Sequence, residues 1–313
     1  MKAIVLEEAG SVNNLIFKDL DPPQLKPNEV MVETKAISIN PVDYKVRANA
    51  PVIDMIIGTE RPVILGWDIA GVITAKGDDV TAFNIGDAVF GMVNFLGHGK
   101  AYAEYVAAPE DHLAKIPKGV SFEDAAATTL AALTALQVLE TRVKVGDKVL
   151  IHAGSGGVGH FAIQIAKSLG AYVITTSSGK NKDFVMSLGA DAHIDYHTQK
   201  FEEELSDLDF VFDMFNGEIL FNSVKVVKKG GHIISLPTPE FSDEILDLAK
   251  ARDVDVSFIM VQSSGKDMRT LASMLEGGTL KPFVSETFGF KDMAKAHEYL
   301  ERGRTVGKIV VKL

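Results

Sequence analysis

Residues 154–159 read Gly-Ser-Gly-Gly-Val-Gly, a complete G-x-G-x-x-G set directly after the apolar run Val149-Leu150-Ile151 and opening into Val158-Gly159-His160-Phe161-Ala162-Ile163. Glycines at this spacing let a chain turn tightly from strand to helix, bring backbone amides against a pyrophosphate and pack the helix closely on its sheet. Dinucleotide binding is the chemistry this predicts; the plainer alternative is a tight turn that holds nothing. The same stretch, Ala153-Gly154-Ser155-Gly156-Gly157, nearly matches the G-x-S-x-G elbow of hydrolases. On that second reading Ser155 is a nucleophile, with Asp213 and either His232 or His297 following in hydrolase order. Ala153 in place of the first elbow glycine, and the long β-rich portion ahead of it, weigh against that reading.

Dinucleotide folds that take NAD place an acid about 20 residues past the glycines, where it bonds the ribose 2′-hydroxyl. Here that place reads Thr175-Thr176-Ser177-Ser178-Gly179-Lys180-Asn181-Lys182. Hydroxyls and lysines suit a 2′-phosphate, so NADPH is expected over NADH. A merely solvated loop is the alternative.

The elements that must position these residues follow from the pattern along the chain. About 120 residues at the start read as short β runs, such as Val30 to Ile37 and Gly71 to Ala75, broken by Pro, Gly and Asp-Asp. From Lys148 strand and helix alternate: strands at 148–153, 171–176, 192–195, 210–213, 232–236 and 256–261, helices at 158–169, 182–188, 219–227, 243–252 and 266–276. Such alternation predicts a parallel, doubly wound sheet. A buried helix is expected over Ala125 to Leu139. The tail after Lys281-Pro282, with a helix at 292–301 and a strand at Ile309-Val310-Val311, is too short to fold alone and is expected to return to the first domain.

Composition narrows the function. The 313 residues suggest two domains, and 46% hydrophobic with 24% charged residues is ordinary globular composition. A net charge of −10 without a basic stripe argues against nucleic acid and anionic membrane surfaces. The chain has no cysteine, which removes disulfides, thiolate catalysis and every cysteine-containing zinc site. Met1 to Glu8 lacks a signal-peptide core, and Ala125 to Leu139 is too short and polar to span a bilayer, so a cytoplasmic protein is expected.

With these residues in view, the chain resembles the medium-chain dehydrogenase/reductase superfamily, specifically its zinc-free, zeta-crystallin-like NADPH quinone oxidoreductase branch, over essentially its whole length. The match is carried by Asn40-Pro41-Val42-Asp43, Leu65-Gly66-Trp67-Asp68-Ile69-Ala70-Gly71, Leu133-Thr134-Ala135, Ala153 to Gly159, Leu188-Gly189-Ala190-Asp191, Ile194-Asp195-Tyr196 and Gly303-Arg304-Thr305-Val306-Gly307-Lys308. The resemblance implies an α/β protein in which a Rossmann domain, 125–280, is inserted into a GroES-like, mostly β substrate domain, 1–124 and 281–313. It implies NADPH as cofactor, reduction of quinones or α,β-unsaturated carbonyls, and a homodimer.

The same resemblance distributes roles. Thr134 is expected near the nicotinamide, Ser155, Gly156, Gly157 and Val158 at the pyrophosphate, and Ser177, Ser178, Lys182 and Tyr196 around the 2′-phosphate. Phe258 and Val261, on the family's last Rossmann strand, and Lys308, from the terminal motif, complete the cofactor set. Asn40, Asp43 and Tyr44 are candidates for orienting the nicotinamide ribose or substrate, although Asp43 can equally cap a helix. Zinc-dependent relatives carry a cysteine near the Asn40 segment and Gly-His-Glu where this chain has Gly66-Trp67-Asp68, so no metal is assigned. His193 and His197 flank Asp195 and could mimic a metal pair, but are read as surface residues. The tyrosine acid of enoyl reductases is missing from Arg47 to Pro51. A protein that holds NADPH without turning it over is the non-enzymatic alternative.

Overall fold

The structure is a computed structural model that describes residues 1–313. Its first elements are β1 (Lys2–Leu6), β2 (Leu15–Asp19), β3 (Glu29–Ile39), α1 (Pro41–Ala48), α2 (Ala50–Ile57), β4 (Val63–Ile64), β5 (Asp68–Lys76), β6 (Ala88–Met92), β7 (Tyr105–Pro109) and β8 (Leu113–Lys115). Along β3 the buried residues Val30, Val32, Thr34 and Ala36 alternate with partly exposed ones, the period of a strand with one face in a core. Next come α3 (Phe122–Ala127) and α4 (Leu130–Leu139), where a single helix was expected over 125–139. The break falls at Thr128 and Thr129, whose hydroxyls bond back to the carbonyls of Asp124 and Ala126, competing with the helix ladder. Asp68 restarts the helix, its Oδ1 accepting the Leu130 N–H at 3.1 Å.

The inserted unit runs β9 (Lys148–Ile151), α5 (Gly159–Ser168), β10 (Tyr172–Ser177), α6 (Lys182–Ser187), β11 (Ala192–Asp195), α7 (Phe201–Glu204), β12 (Leu208–Asp213), α8 (Gly217–Val226), β13 (Val227–Ser235), α9 (Asp243–Arg252) and β14 (Asp255–Ser257). All six strands are parallel, in the order β11-β10-β9-β12-β13-β14. This is the doubly wound order, whose topological switch falls between β9 and β12. One face of the sheet packs Leu150, Val211 and Ile233 against Leu220 and Val224 of α8 and Ile245 and Ala249 of α9. The last strand is shorter than the expected 256–261: its ladder to β13 pairs only His232–Ile234 with Asp255–Ser257, and 258–262 lie outside any strand.

The chain closes with α10 (Gly265–Glu276), β15 (Val284–Gly289), α11 (Met293–Glu301) and β16 (Lys308–Lys312). β16 pairs antiparallel with β3, completing the sheet β15-β16-β3-β5-β6-β8, with β7 also on β3. The tail therefore returns to the N-terminal sheet. The compact units are 1–133 with 261–313, and 134–260, where the resemblance implied boundaries at 124/125 and 280/281. Part of the difference is α10, which reads as one more sheet-covering helix but packs on β8; a Cβ at Gly265 would stand 2.6 Å from the Asp111 carbonyl oxygen.

Candidate active site

The glycine-rich turn leaves β9 through Ala153, a non-glycine residue held at φ 52° in the left-handed region. Gly154 N–H then donates to the Thr176 carbonyl at 2.9 Å, laying the turn against β10. A Cβ at Gly154 would stand 1.8 Å from Thr175 Oγ1, and one at Gly159 2.2 Å from the Ala153 carbonyl oxygen. These two glycines are required by strand and helix packing alone. At Gly156 the nearest atom to such a Cβ is the Ala153 carbonyl oxygen, at 3.2 Å. Val158, the N-cap of α5, contributes no side-chain cap, so the helix starts on backbone amides. Amides over a glycine cradle fit a pyrophosphate.

Beside the turn lies the loop that follows β10. Asn181 Nδ2 donates to Ser155 Oγ at 3.0 Å, joining loop to turn. Ser177 and Ser178 are buried, and Ser177 Oγ donates to the Ser178 carbonyl while His193 Nε2 lies 2.9 Å away. Lys180 and Lys182 are exposed, as is Tyr196, whose ring lies against that of His197. Ser155, Ser177, Ser178 and Lys182 thus come from one sheet end; the donors of Ser155, Ser178 and Lys182 suit phosphate groups, whereas the Ser177 hydroxyl is spent on the Ser178 carbonyl. Thr134 is buried at 6% exposure, Phe258 is half-buried after β14, and Val261 is buried.

No hydrolase triad forms. The partner of Ser155 Oγ is the Asn181 amide, Asp213 accepts from Ser235 Oγ and the backbone of Phe215 and Asn216, His232 pairs with Asp255, and His297 is engaged elsewhere.

The second cluster belongs to the β-rich unit and is buried. Asn40 caps α1, with its N–H donating to Asp43 Oδ2 at 2.6 Å, its Nδ2 to Asp68 Oδ2 at 2.7 Å, and its Oδ1 accepting from Lys308 Nζ at 2.5 Å. Lys308 Nζ also donates to the Ile39 carbonyl. Lys308 is therefore locked inside this unit at 3% exposure; the resemblance had implied a place for it in the cofactor set. Burial and the neighbouring Asp68 push the Asp43 pKa up to about 7, against the Asn40 N–H, Lys308 and Tyr102, and its Oδ1 has no hydrogen-bond partner. Burial also raises Asp68 and lowers Lys308.

Arg47 Nη1 contacts His297 Nδ1 at 3.2 Å and Glu301 Oε1 at 2.6 Å, and Tyr102 Oη lies 2.9 Å from His297 Nε2. Arginine only donates, so His297 accepts at Nδ1 and carries its proton on Nε2, toward Tyr102. Burial, with Arg47 adding to it, takes the His297 pKa down to about 3. Of the three candidates on α1, Asn40 and Asp43 are buried; only Tyr44 is half-exposed, its pKa raised by burial and Glu301. Sequence reasoning missed Asp68, Tyr102, His297 and Arg47 as a group. The available signal was a charge opening each of two apolar strands, Asp68 in β5 and Lys308 in β16. Trp67, at the place where the resemblance implies a histidine in zinc-dependent relatives, is 1% exposed, donates Nε1–H to the Gly97 carbonyl and meets Phe95 edge to face at 5.3 Å. No three His, Asp or Glu side chains converge to hold a metal.

Residues 26–118 match the family model described as an alcohol dehydrogenase GroES-like domain, and 188–311 match one described as a zinc-binding dehydrogenase. The chain is 34% identical to a 2-methylene-furan-3-one reductase of Solanum lycopersicum, over 99% of this chain and 79% of that protein. It is 32% identical to an NADPH-dependent alkenal/one oxidoreductase, chloroplastic, of Arabidopsis thaliana, with the same coverage. The quinone oxidoreductase structure from Coxiella burnetii superimposes with a TM-score of 0.93 at 36% identity, covering 100% of this chain and 99% of that one. A GroES-like sheet carrying an inserted 3-2-1-4-5-6 dinucleotide sheet, with these relatives across its length, makes the chain a member of the medium-chain dehydrogenase/reductase superfamily, in its zinc-free quinone and enone oxidoreductase branch.

Proposed function

We propose that this chain is an NADPH-dependent reductase of quinones and α,β-unsaturated carbonyls. The observation that supports the reading is the glycine turn after β9 hydrogen-bonded to a loop of serines and lysines after β10, two donor-rich turns at one sheet end. When bound, NADPH supplies a hydride from its nicotinamide C4. The chain's own residues hold it: amides at the start of α5, with Ser155, Gly156, Gly157 and Val158, take the pyrophosphate, and Ser177, Ser178, Lys182 and Tyr196 surround the 2′-phosphate. We assign Thr134, Phe258 and Val261 to the nicotinamide end. Tyr44 is the substrate-facing residue of α1, while Asn40 and Asp43 hold the helix that carries it.

Without a metal-ligand set in the sequence, the alkoxide that would form from a simple ketone lacks a strong stabiliser. An enone or quinone spreads the charge into an enolate or hydroquinone anion, which hydroxyls and amides stabilise and water protonates. Deuteride from C4-labelled NADPH is therefore expected on the β-carbon of an enone, with the carbonyl intact. Label on the carbonyl carbon, or equal rates with saturated ketones, would refute the reading. A protein that only stores NADPH would transfer none.

No helix is long and apolar enough to cross a membrane. Separately, we propose a cytoplasmic location. We also propose a homodimer, supported by the free edge of β14. Sedimentation velocity should give about twice the chain mass of 33.8 kDa at micromolar concentration; a single species at the chain mass would rule it out.

A further inference from the structure

The acid that dinucleotide folds place at the end of their second strand is missing from β10, which ends at Ser177. A carboxylate nevertheless reaches this place from the neighbouring strand. In the β10–β11 ladder Ser177 pairs with Asp195, so the two strands end side by side. Asp195 Oδ1 accepts the His197 N–H at 3.0 Å. Its Oδ2 occupies the space above Gly179, where a Cβ would stand only 2.4 Å from it. Glycine at 179 is what lets the carboxylate lie against the very loop that carries Ser178, Lys180 and Lys182. No ion pair neutralises it, and His193 lies within electrostatic reach of both Asp195 and Lys182, which act on it in opposite directions.

Resting on the NADPH reading above, we propose that Asp195 is a selectivity residue for the ribose 2′ substituent. Its carboxylate opposes a 2′-phosphate and offers an acceptor to a 2′-hydroxyl, so it narrows the preference for NADPH that Lys180 and Lys182 create. The site reads the 2′ position with charges of both signs, cations from the loop and an anion from β11, and the balance between them sets how far NADH is admitted.

Calorimetric titration of the full chain with NADPH and with NADH tests this through the ratio of the two dissociation constants. Asp195→Asn keeps the acceptor for the His197 N–H and removes the charge, and it should raise discrimination for NADPH about tenfold, less at high salt. Lys182→Ala should lower it by about tenfold or more. Opposite signs from two neighbouring replacements do not arise from loss of fold, and Asp195→Ser, also uncharged, should move the ratio in the same direction as Asp195→Asn. A ratio unchanged within about twofold in both Asp195 variants, or equal weakening of both nucleotides, overturns the proposal and leaves Asp195 a strand-end cap. If Lys182→Ala still lowers the ratio in that case, the NADPH reading stands alone. Binding of neither nucleotide by the wild type overturns both.

Discussion

Lys308→Met is expected to remove about 3–5 kcal/mol from the stability of the β-rich unit, the range for leaving a buried charge without its compensating opposite charge. The ammonium donates to Asn40 Oδ1 and the Ile39 carbonyl, and it is the cation that acts on the buried Asp43 and Asp68. Methionine fills the volume but leaves Asp43 and Asp68, whose charges repel, without a nearby cation in a medium that penalises charge. Both then shift further up, so the loss should be larger at pH 8 than at pH 5, where protonation relieves it. Adding Asp68→Asn should recover part of the stability. Urea unfolding at the two pH values reads the effect, and a loss below about 1 kcal/mol, or one equal at both pH values, would show that Lys308 is only a space-filling stem.

Acid should soften the inserted unit before the β-rich one. His152, at the end of β9, is buried between Thr176 Oγ1 and Ser223 Oγ, each at 3.1 Å, and burial takes its pKa down from 6.5 to about 3. Its folded pKa lies below its unfolded one, so unfolding takes up a proton between those limits. The stability it contributes is present above pH 6.5 and is lost as pH falls toward 3, at up to about 1.4 kcal/mol per pH unit.

His297 imposes the same slope on the β-rich unit, but there Asp43 has the opposite sign. Its folded pKa of about 7 exceeds the ordinary 3.8, so it favours the folded state at low pH and loses that contribution as pH rises through 7. The two offset each other between about pH 4 and 6.5, and the upward shift of Asp68 adds to the offset. In the inserted unit the upward shift of Asp213 is a counterweight, while His193 adds to the loss. Smaller downward shifts at His98 and His112 act on the β-rich unit. Hydrogen exchange across pH 7 to 4, corrected for intrinsic rates, should show protection falling first in 134–260, and His152→Gln should flatten that fall. Earlier loss in the β-rich unit would contradict the assignment.

The parts of the structure that were readable in sequence are those specified by neighbours. β11 at 192–195 and α9 at 243–252 fall where periodicity and flanking residues set them, the helix capped by Ser242 Oγ accepting the Ile245 N–H. The glycine turn was readable because its geometry is local. The break at Thr128-Thr129 was not, because the apolar pattern runs through it and the competing bonds are made by hydroxyls whose direction a sequence does not reveal. β14 is shorter than its apolar run because an edge strand lasts only as long as it is paired, here Asp255–Ser257 against His232–Ile234. The network of Asn40, Asp68, Tyr102, His297 and Lys308 joins positions up to 268 residues apart, and no local spacing announces it. Asp195 was visible, but its closeness to Gly179 follows from strand pairing rather than from sequence distance.

Trp67 has an optical consequence. The chain contains one tryptophan, so all its indole emission comes from a ring shielded from water, tied through Nε1 to the Gly97 carbonyl and braced by Phe95. The fluorophore is thus wired to residues 95–97 of a single loop, and its spectrum is a gauge of how firmly that loop is seated. Global unfolding and a purely local lifting of 95–97 would both shift the emission to the red, but only the first would also erase the far-ultraviolet dichroism.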